Sequence, residues 1–198
     1  MPYLALLAAY VLGAIPFGYL IYRRKTGRDI RSEGSGNIGA TNVARLTGRV
    51  AGVVTLALDV GKGFAAVELA GWASGNHDPA WMSAAAVAVL LGHMFPVFLR
   101  FRGGKGVASA LGAFAALAPG AVLVALGAFL LLLAIWRYVS LGSIVSAAVF
   151  PAAAWWLYHP PAGQTIGATI AAVLIIARHY PNIRRLMAGK EPRFGAPA

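Results

Sequence analysis

Three stretches of this chain carry the residue types that hold oxyanions. The first, GSGNIGATNVAR from Gly34 to Arg45, is small and rich in donors. Its glycines, Gly36 among them, permit positive φ and close backbone approach. Ser35, Asn37, Thr41 and Asn42 add hydroxyl and amide groups, and Arg45 adds a planar fork of charge-assisted donors. Thr41 or Asn42 suits an N-cap, so the loop should end on a helix N-terminus, whose free N–H groups and positive dipole end also attract phosphate. The second stretch, RFRGGKGVAS from Arg100 to Ser109, surrounds Lys105 with Gly103, Gly104 and Gly106. There the backbone N–H groups would approach an oxyanion while the lysine supplies charge. The third, which begins RHYPNIRR at Arg178, offers His179 and Asn182 among arginines, and a weaker fourth, RYVSLGS from Arg137, offers Ser140 and Ser143. Taken singly, each has an ordinary explanation: a glycine turn, a surface lysine, a histidine at a helix end, serines that pack helices. Neither glycine loop has the G-x-x-x-x-G-K-[ST] order of a P-loop, and no acid stands nearby to hold magnesium.

The elements that position these stretches are apolar. Of 198 residues 59% are hydrophobic and 12% charged, and the mean hydropathy of +0.71 exceeds what a soluble domain of this size can hide in its core. The chain reads as a single all-α integral membrane domain over residues 1–198. Apolar segments run over residues 1–22, 50–72, 80–99, 106–118, 121–136, 141–158 and 165–177, which predicts seven transmembrane helices, the fourth and seventh shorter than the roughly 20 residues of a perpendicular span. The first is followed at once by Arg23, Arg24 and Lys25 and has no basic region before it, so it reads as a span and not a signal peptide.

All seventeen lysines and arginines but Lys62 fall after the first, third, fifth and seventh segments, and the alternate loops hold none. The positive-inside rule then places the N-terminus outside, the C-terminus in the cytoplasm and all the donor-rich stretches on one side. This asymmetry accounts for the net charge of +11 without nucleic acid. Within the second segment Asp59 and Lys62 lie i, i+3 and read as a self-neutralising structural pair, and small-residue runs at 83–88 and 112–116 read as tight helix packing. With no cysteine, thiolate nucleophiles and disulfides are excluded, and neither a metal nor a cofactor is expected. A small anion transporter would also use basic loops and broken helices, but it should place polar groups near the midplane and on both sides.

The strings SGNIGATN, FRGGKGVA and HYPNI, in that order in a chain of about this length, resemble the bacterial acyl-phosphate:glycerol-3-phosphate acyltransferases, and the resemblance spans essentially the whole chain. It implies a multi-pass enzyme of the bacterial inner membrane, active on the cytoplasmic side. Its reaction would move a fatty acyl group from acyl phosphate to the sn-1 hydroxyl of glycerol 3-phosphate, giving lysophosphatidic acid and inorganic phosphate. Both substrates carry phosphate, which suits loops richer in cations than in carboxylates. The partners expected are these two substrates and the lipid bilayer, with no nucleic acid, and the chain is expected to act as a monomer. Membrane acyltransferases with an H-x-x-x-x-D motif are a poor match, because none of His77, His93, His159 and His179 has an aspartate five residues later.

On this basis Lys105, His179, Asn182 and Ser143 are the expected catalytic residues. Ser35, Gly36, Asn37, Thr41, Asn42, Arg45, Gly103, Gly104 and Gly106 are the expected phosphate-binding ones. A covalent route would need a serine activated by a base that a third group orients, and no acid, Glu191 included, is evidently placed for that. Direct attack of the substrate hydroxyl in a ternary complex is therefore expected. His179 or a substrate phosphate oxygen would take the proton.

Overall fold

The computed structural model describes residues 2–195, and among them the architecture is all-α with no strand. The first apolar segment breaks at Ile15 and Pro16 into α1 (Pro2–Ala14) and α2 (Phe17–Thr26), as expected where a proline lacks the N–H that would continue a helix. After a loop come α3 (Ala40–Thr47), α4 (Arg49–Ala73), α5 (Pro79–Met94), α6 (Val107–Leu117), α7 (Pro119–Trp136), α8 (Val139–Tyr158), α9 (Ala162–Arg178) and α10 (Tyr180–Met187). Among the described residues, five segments are long and apolar enough to cross a membrane: Tyr3–Thr26, Arg49–Ala73, Pro79–Leu99, Pro119–Trp136 and Val139–Tyr158. α9 with α10 makes a sixth only as a pair bent by 56°. α6 has eleven residues, about 16 Å of helix, which is too short to cross alone.

Glycines set the closest helix contacts. Gly13 of α1 lies against the Val89 backbone of α5, and Gly92 of α5 lies against the Tyr10 carbonyl of α1. The same reciprocal arrangement joins α4 to α6, where Gly63 meets Ser109 and Gly112 meets Val60. A side chain at any of the four would overlap the partner's backbone. Lipid tails solvate leucine as well as a protein core does, so close packing of this kind is what holds such helices together. The outer surface carries exposed Leu123, Leu131, Trp156 and Val173, a face suited to lipid and costly in water.

The chain turns back on itself between α5 and α6. Arg100 and Phe101 both take positive φ, 53° and 63°, and the backbone then returns beside the last turn of α5. Gly103 N–H donates to Met94 O at 3.2 Å and Gly104 N–H to His93 O at 3.1 Å. α6 thus begins alongside α5 and not beyond its end, which shortens the path left for it to cover. Its far end meets α7 at Gly120, whose N–H donates to Tyr158 Oη at 2.7 Å, at the C-terminal end of α8.

Candidate active site

A chain of hydrogen bonds joins the second and third stretches. Lys105 Nζ donates to Asn182 Oδ1 at 2.6 Å, and Asn182 Nδ2 donates to Glu191 Oε1 at 2.7 Å. Ser140 Oγ reaches the same oxygen at 2.6 Å, while Arg185 Nε takes Glu191 Oε2 at 2.7 Å. Asn182 lies on the first turn of α10, Ser140 on the first turn of α8, and Lys105 just ahead of α6. Residues beyond α10 fold back so that Glu191 closes the cluster and Arg137 Nη2 donates to Phe194 O. Burial works against the Glu191 carboxylate, but the bonds from Ser140, Asn182 and Arg185 outweigh it and hold its pKa below the ordinary value. Burial likewise disfavours the Lys105 ammonium. Glu191 supports that charge, but Arg185, Arg178 and Arg45 oppose it, and the lysine is pushed down to about 8.

His179, just past the end of α9, is buried, and its Nδ1 lies 2.8 Å from Ile175 O. A carbonyl only accepts, so Nδ1 carries the proton and the Nε2 lone pair is left for another partner. Burial and the nearby Lys105 cation push its pKa down to about 4, so the ring is neutral near pH 7. Such a ring can accept a proton from a bound hydroxyl only when a substrate's negative charge raises its basicity.

The first loop is organised by Asn42. Its Oδ1 accepts from Ser35 N–H at 3.0 Å and lies 3.4 Å from Arg45 Nη1, and its Nδ2 donates to Glu33 O and Asn37 O. The Asn42 side chain is thus consumed in folding the loop, and at 2% exposure it is no surface ligand. It is not the N-cap either, and nor is Thr41. Gly39 takes that place without a side-chain bond, and its own N–H is taken by Asn37 Oδ1 at 2.8 Å. Ser35, Gly36 and Thr41 are exposed and Arg45 half-buried, and Arg45 is close enough for its charge to act on Lys105. Gly36 has φ of 69°, the turn its residue type allows.

The second loop uses its glycines differently from the expectation. The N–H groups of Gly103 and Gly104 are occupied by the carbonyls at the end of α5, so they are not free to cradle an oxyanion. Their carbonyls are taken as well, by Arg178 Nη2 at 3.0 Å and Nε at 3.1 Å, with the guanidinium stacked 5.3 Å from the Phe95 ring. Gly106, with φ of 83°, is the N-cap of α6, whose first N–H groups lack partners within the helix. Donors at this loop are therefore those of the α6 N-terminus together with Lys105. Ser143 spends its hydroxyl on Val139 O, one turn back in its own helix, at 2.9 Å. The serine that reaches the cluster is Ser140.

The family profile described as glycerol-3-phosphate acyltransferase matches residues 3–189. The chain belongs to that family. The glycerol-3-phosphate acyltransferase of Trichlorobacter lovleyi is 53% identical over 95% of each chain, and that of Geobacter sulfurreducens 47% identical over 95% of each. The crystal structure of PlsY (YgiH), an integral membrane glycerol 3-phosphate acyltransferase, in its glycerol 3-phosphate form, is similar with a TM-score of 0.92. The identity is 40%, over 98% of this chain and 96% of that one. A lysophosphatidic acid form of the same protein is similar with a TM-score of 0.88 at 38% identity. The cluster supplies cations and a hydrogen-bonding frame of the kind an acyltransferase of glycerol 3-phosphate calls for.

Sequence reasoning missed three residues in and beside this candidate site. Glu191 was seen only as an acid without a place, because its role depends on the chain doubling back after α10. Arg178 was counted with the basic tail, although it clamps the second loop. His93 was noted only for lacking a motif, yet its Nδ1 lies 3.3 Å from Ser109 Oγ and 3.6 Å from Asp59 Oδ1. This is not an activated serine: Asp59 and Ser109 approach the same ring nitrogen, whereas activation needs one on each. Asp59 Oδ1 also pairs with Lys62 Nζ at 2.8 Å, as the spacing predicted.

Proposed function

We propose that this acyltransferase takes its acyl group from acyl phosphate and delivers it to the sn-1 hydroxyl of glycerol 3-phosphate, releasing lysophosphatidic acid and inorganic phosphate. The observation that carries this reading is the charge balance of the cluster. Its one carboxylate, Glu191, is already satisfied by three donors, while Lys105, Arg45 and Arg178 leave a local excess of positive charge matched to phosphate groups. An acyl phosphate is a mixed anhydride with a good leaving group, so positioning and neutralisation are the main demands, and positioning alone can lower a barrier by about 7–11 kcal/mol.

The hydroxyl oxygen attacks the acyl carbonyl carbon. The new ester C–O bond forms as the C–O bond to phosphate breaks, and the phosphate leaves with that electron pair. The proton passes to His179 Nε2 or to a phosphate oxygen of the substrates. Lys105 and the α6 N-terminus offset the growing oxyanion charge, Asn182 holds Lys105, and Arg45 with Ser35 binds substrate phosphate from the first loop.

On this reading the protein works in a bacterial inner membrane as a monomer with seven crossings, its N-terminus outside and its site facing the cytoplasm. Supporting this count, α6 and α7 leave from Lys105, which is bonded to Asn182, and return to Arg137, which is bonded to Phe194 of the folded-back tail, with their joint at the Tyr158 end of α8. A cytoplasmic reporter fused after Ala198 should be active, and an active periplasmic fusion would overturn the orientation. Purified protein should release phosphate from palmitoyl phosphate only when glycerol 3-phosphate is present. Equal use of palmitoyl-CoA, or parallel initial-rate lines with a trapped acyl-serine, would overturn the donor or the direct route.

A further inference from the structure

Beneath the second loop lies a polar network that the reaction itself does not call upon. Asp59 and Lys62 come from α4, His93 from α5 and Ser109 from α6, each no more than 4% exposed. Lys62 Nζ also donates to Ile15 O at 2.9 Å, occupying a carbonyl at the proline break between α1 and α2. The network thus links the α1–α2 break, α4, α5 and α6 beneath the second loop. Stability alone does not explain it. Desolvating a buried ion pair costs about as much as the pair returns, and apolar replacements are often as stable or better. Ionisable groups at membrane depth therefore call for a use.

The use is visible in what His93 touches. The Nε2 edge of its ring packs directly on the Gly104 backbone, so that a methyl group added there would overlap Nε2 itself. Gly103 lies just as close to the His93 carbonyl and to Pro96. On the other side Arg178 holds both loop carbonyls. The loop is thus clamped between a guanidinium and an imidazole, and the next residue along is Lys105. Through Ser109 the same ring is tied to the first turn of α6, so it registers the segment at both ends. A lysine side chain is long and flexible. Where its ammonium sits depends on the backbone that launches it.

We propose that His93, tied by Ser109 and lying beside Asp59, is a positioning residue that fixes where Lys105 meets Asn182. It touches no substrate and acts through the Gly103–Gly104 backbone. Misplacement of a catalytic group by about 1 Å can cost about 10²-fold in rate, enough to make such a floor necessary.

The inference rests on the role given to Lys105, and a double-mutant cycle separates the two. His93→Asn can keep the polar tie to Ser109 but lacks the far edge of the ring, leaving a gap under Gly104. His93→Asn should accumulate and fold, with kcat lowered by about 10-fold to 10²-fold. His93→Asn/Lys105→Ala should be no slower than Lys105→Ala, because the second loss acts through the first. Gly104→Ala should be severely impaired, and His93→Ala should relieve it by making room for the methyl group. The alkaline fall in kcat/KM that reports Lys105 should move to higher pH in His93→Asn, as its burial loosens. Near-normal turnover of folded His93→Asn, or strictly additive losses with Lys105→Ala, would overturn the inference. Near-normal turnover of Lys105→Ala would instead overturn the role of Lys105, on which it rests.

Discussion

The two glycine loops are alike in composition and opposite in construction. In the first, glycines make turns, Asn42 folds the backbone around itself, Ile38 and Val43 pack inward, and Ser35 and Thr41 stay exposed. In the second, glycines make room. Gly103 and Gly104 press against α5, their N–H and C=O groups all engaged, so that one lysine is carried inward to a buried cluster. The difference teaches that a glycine-rich string near a phosphate site need not supply its backbone donors to the phosphate. One loop keeps Ser35 and Thr41 at the surface, whereas the other is a mount for a single charge.

That contrast can be broken most sharply at Lys105. Lys105→Ala should lower kcat by about 10² to 10³-fold, the usual cost of losing one electrostatic donor to a developing charge. Steady-state rates of folded protein that stayed near normal would make the second loop scaffold only. Asn42→Ala removes the acceptor for Ser35 N–H and the donors to Glu33 and Asn37, so the first loop should lose its shape. The Michaelis constant for glycerol 3-phosphate should rise about tenfold or more, and unchanged binding in a titration would show that the loop holds itself.

The pH dependence sharpens the comparison because only the second loop carries a cation with a pKa in reach. The Lys105 ammonium exists below its pKa of about 8 and is lost as pH rises through it, so kcat/KM should fall about tenfold between pH 7 and pH 9. Lys105→Arg, whose side chain does not deprotonate in this range, should lack that fall. The smallest effect is expected at Arg45. Arg45→Lys keeps the charge and loses the planar fork, which should raise the Michaelis constant for one phosphate substrate by about threefold to tenfold. A pH profile equally steep in Lys105→Arg, or no change in Arg45→Lys, would erase the distinction between buried mount and outer surface.

Much of this was legible without coordinates. The apolar segments were placed within a few residues of the helices, and the Asp59–Lys62 pair and the tight packing at Gly112 follow from residue type and spacing, whereas the break of the first segment at Pro16 was not read from the sequence. Lys105, His179 and Asn182 were singled out and do converge. The expected N-cap at Thr41 or Asn42 gave way to Gly39 because Asn42 had three loop partners competing for it. The free N–H groups expected of Gly103 and Gly104 were taken by α5, since a chain that turns back beside a helix end finds its carbonyls unpaired. Ser140, and not Ser143, reaches Glu191, a choice between two serines one turn apart that depends on where the tail folds.

What the sequence determined by itself, then, is what a local rule can decide: which segments prefer lipid, which side the charges favour, and which residues have the chemistry of phosphate recognition. Hydrophobic transfer and the positive-inside bias act on stretches of neighbouring residues and need no knowledge of the fold. The tertiary structure alone decided which donors remain free, that Glu191 closes the cluster, and that His93 lies under Gly104. Those outcomes depend on competition for hydrogen bonds among groups far apart in the chain, and in an interior where an unpaired polar group is costly, the winners are set by which backbones the packing brings together.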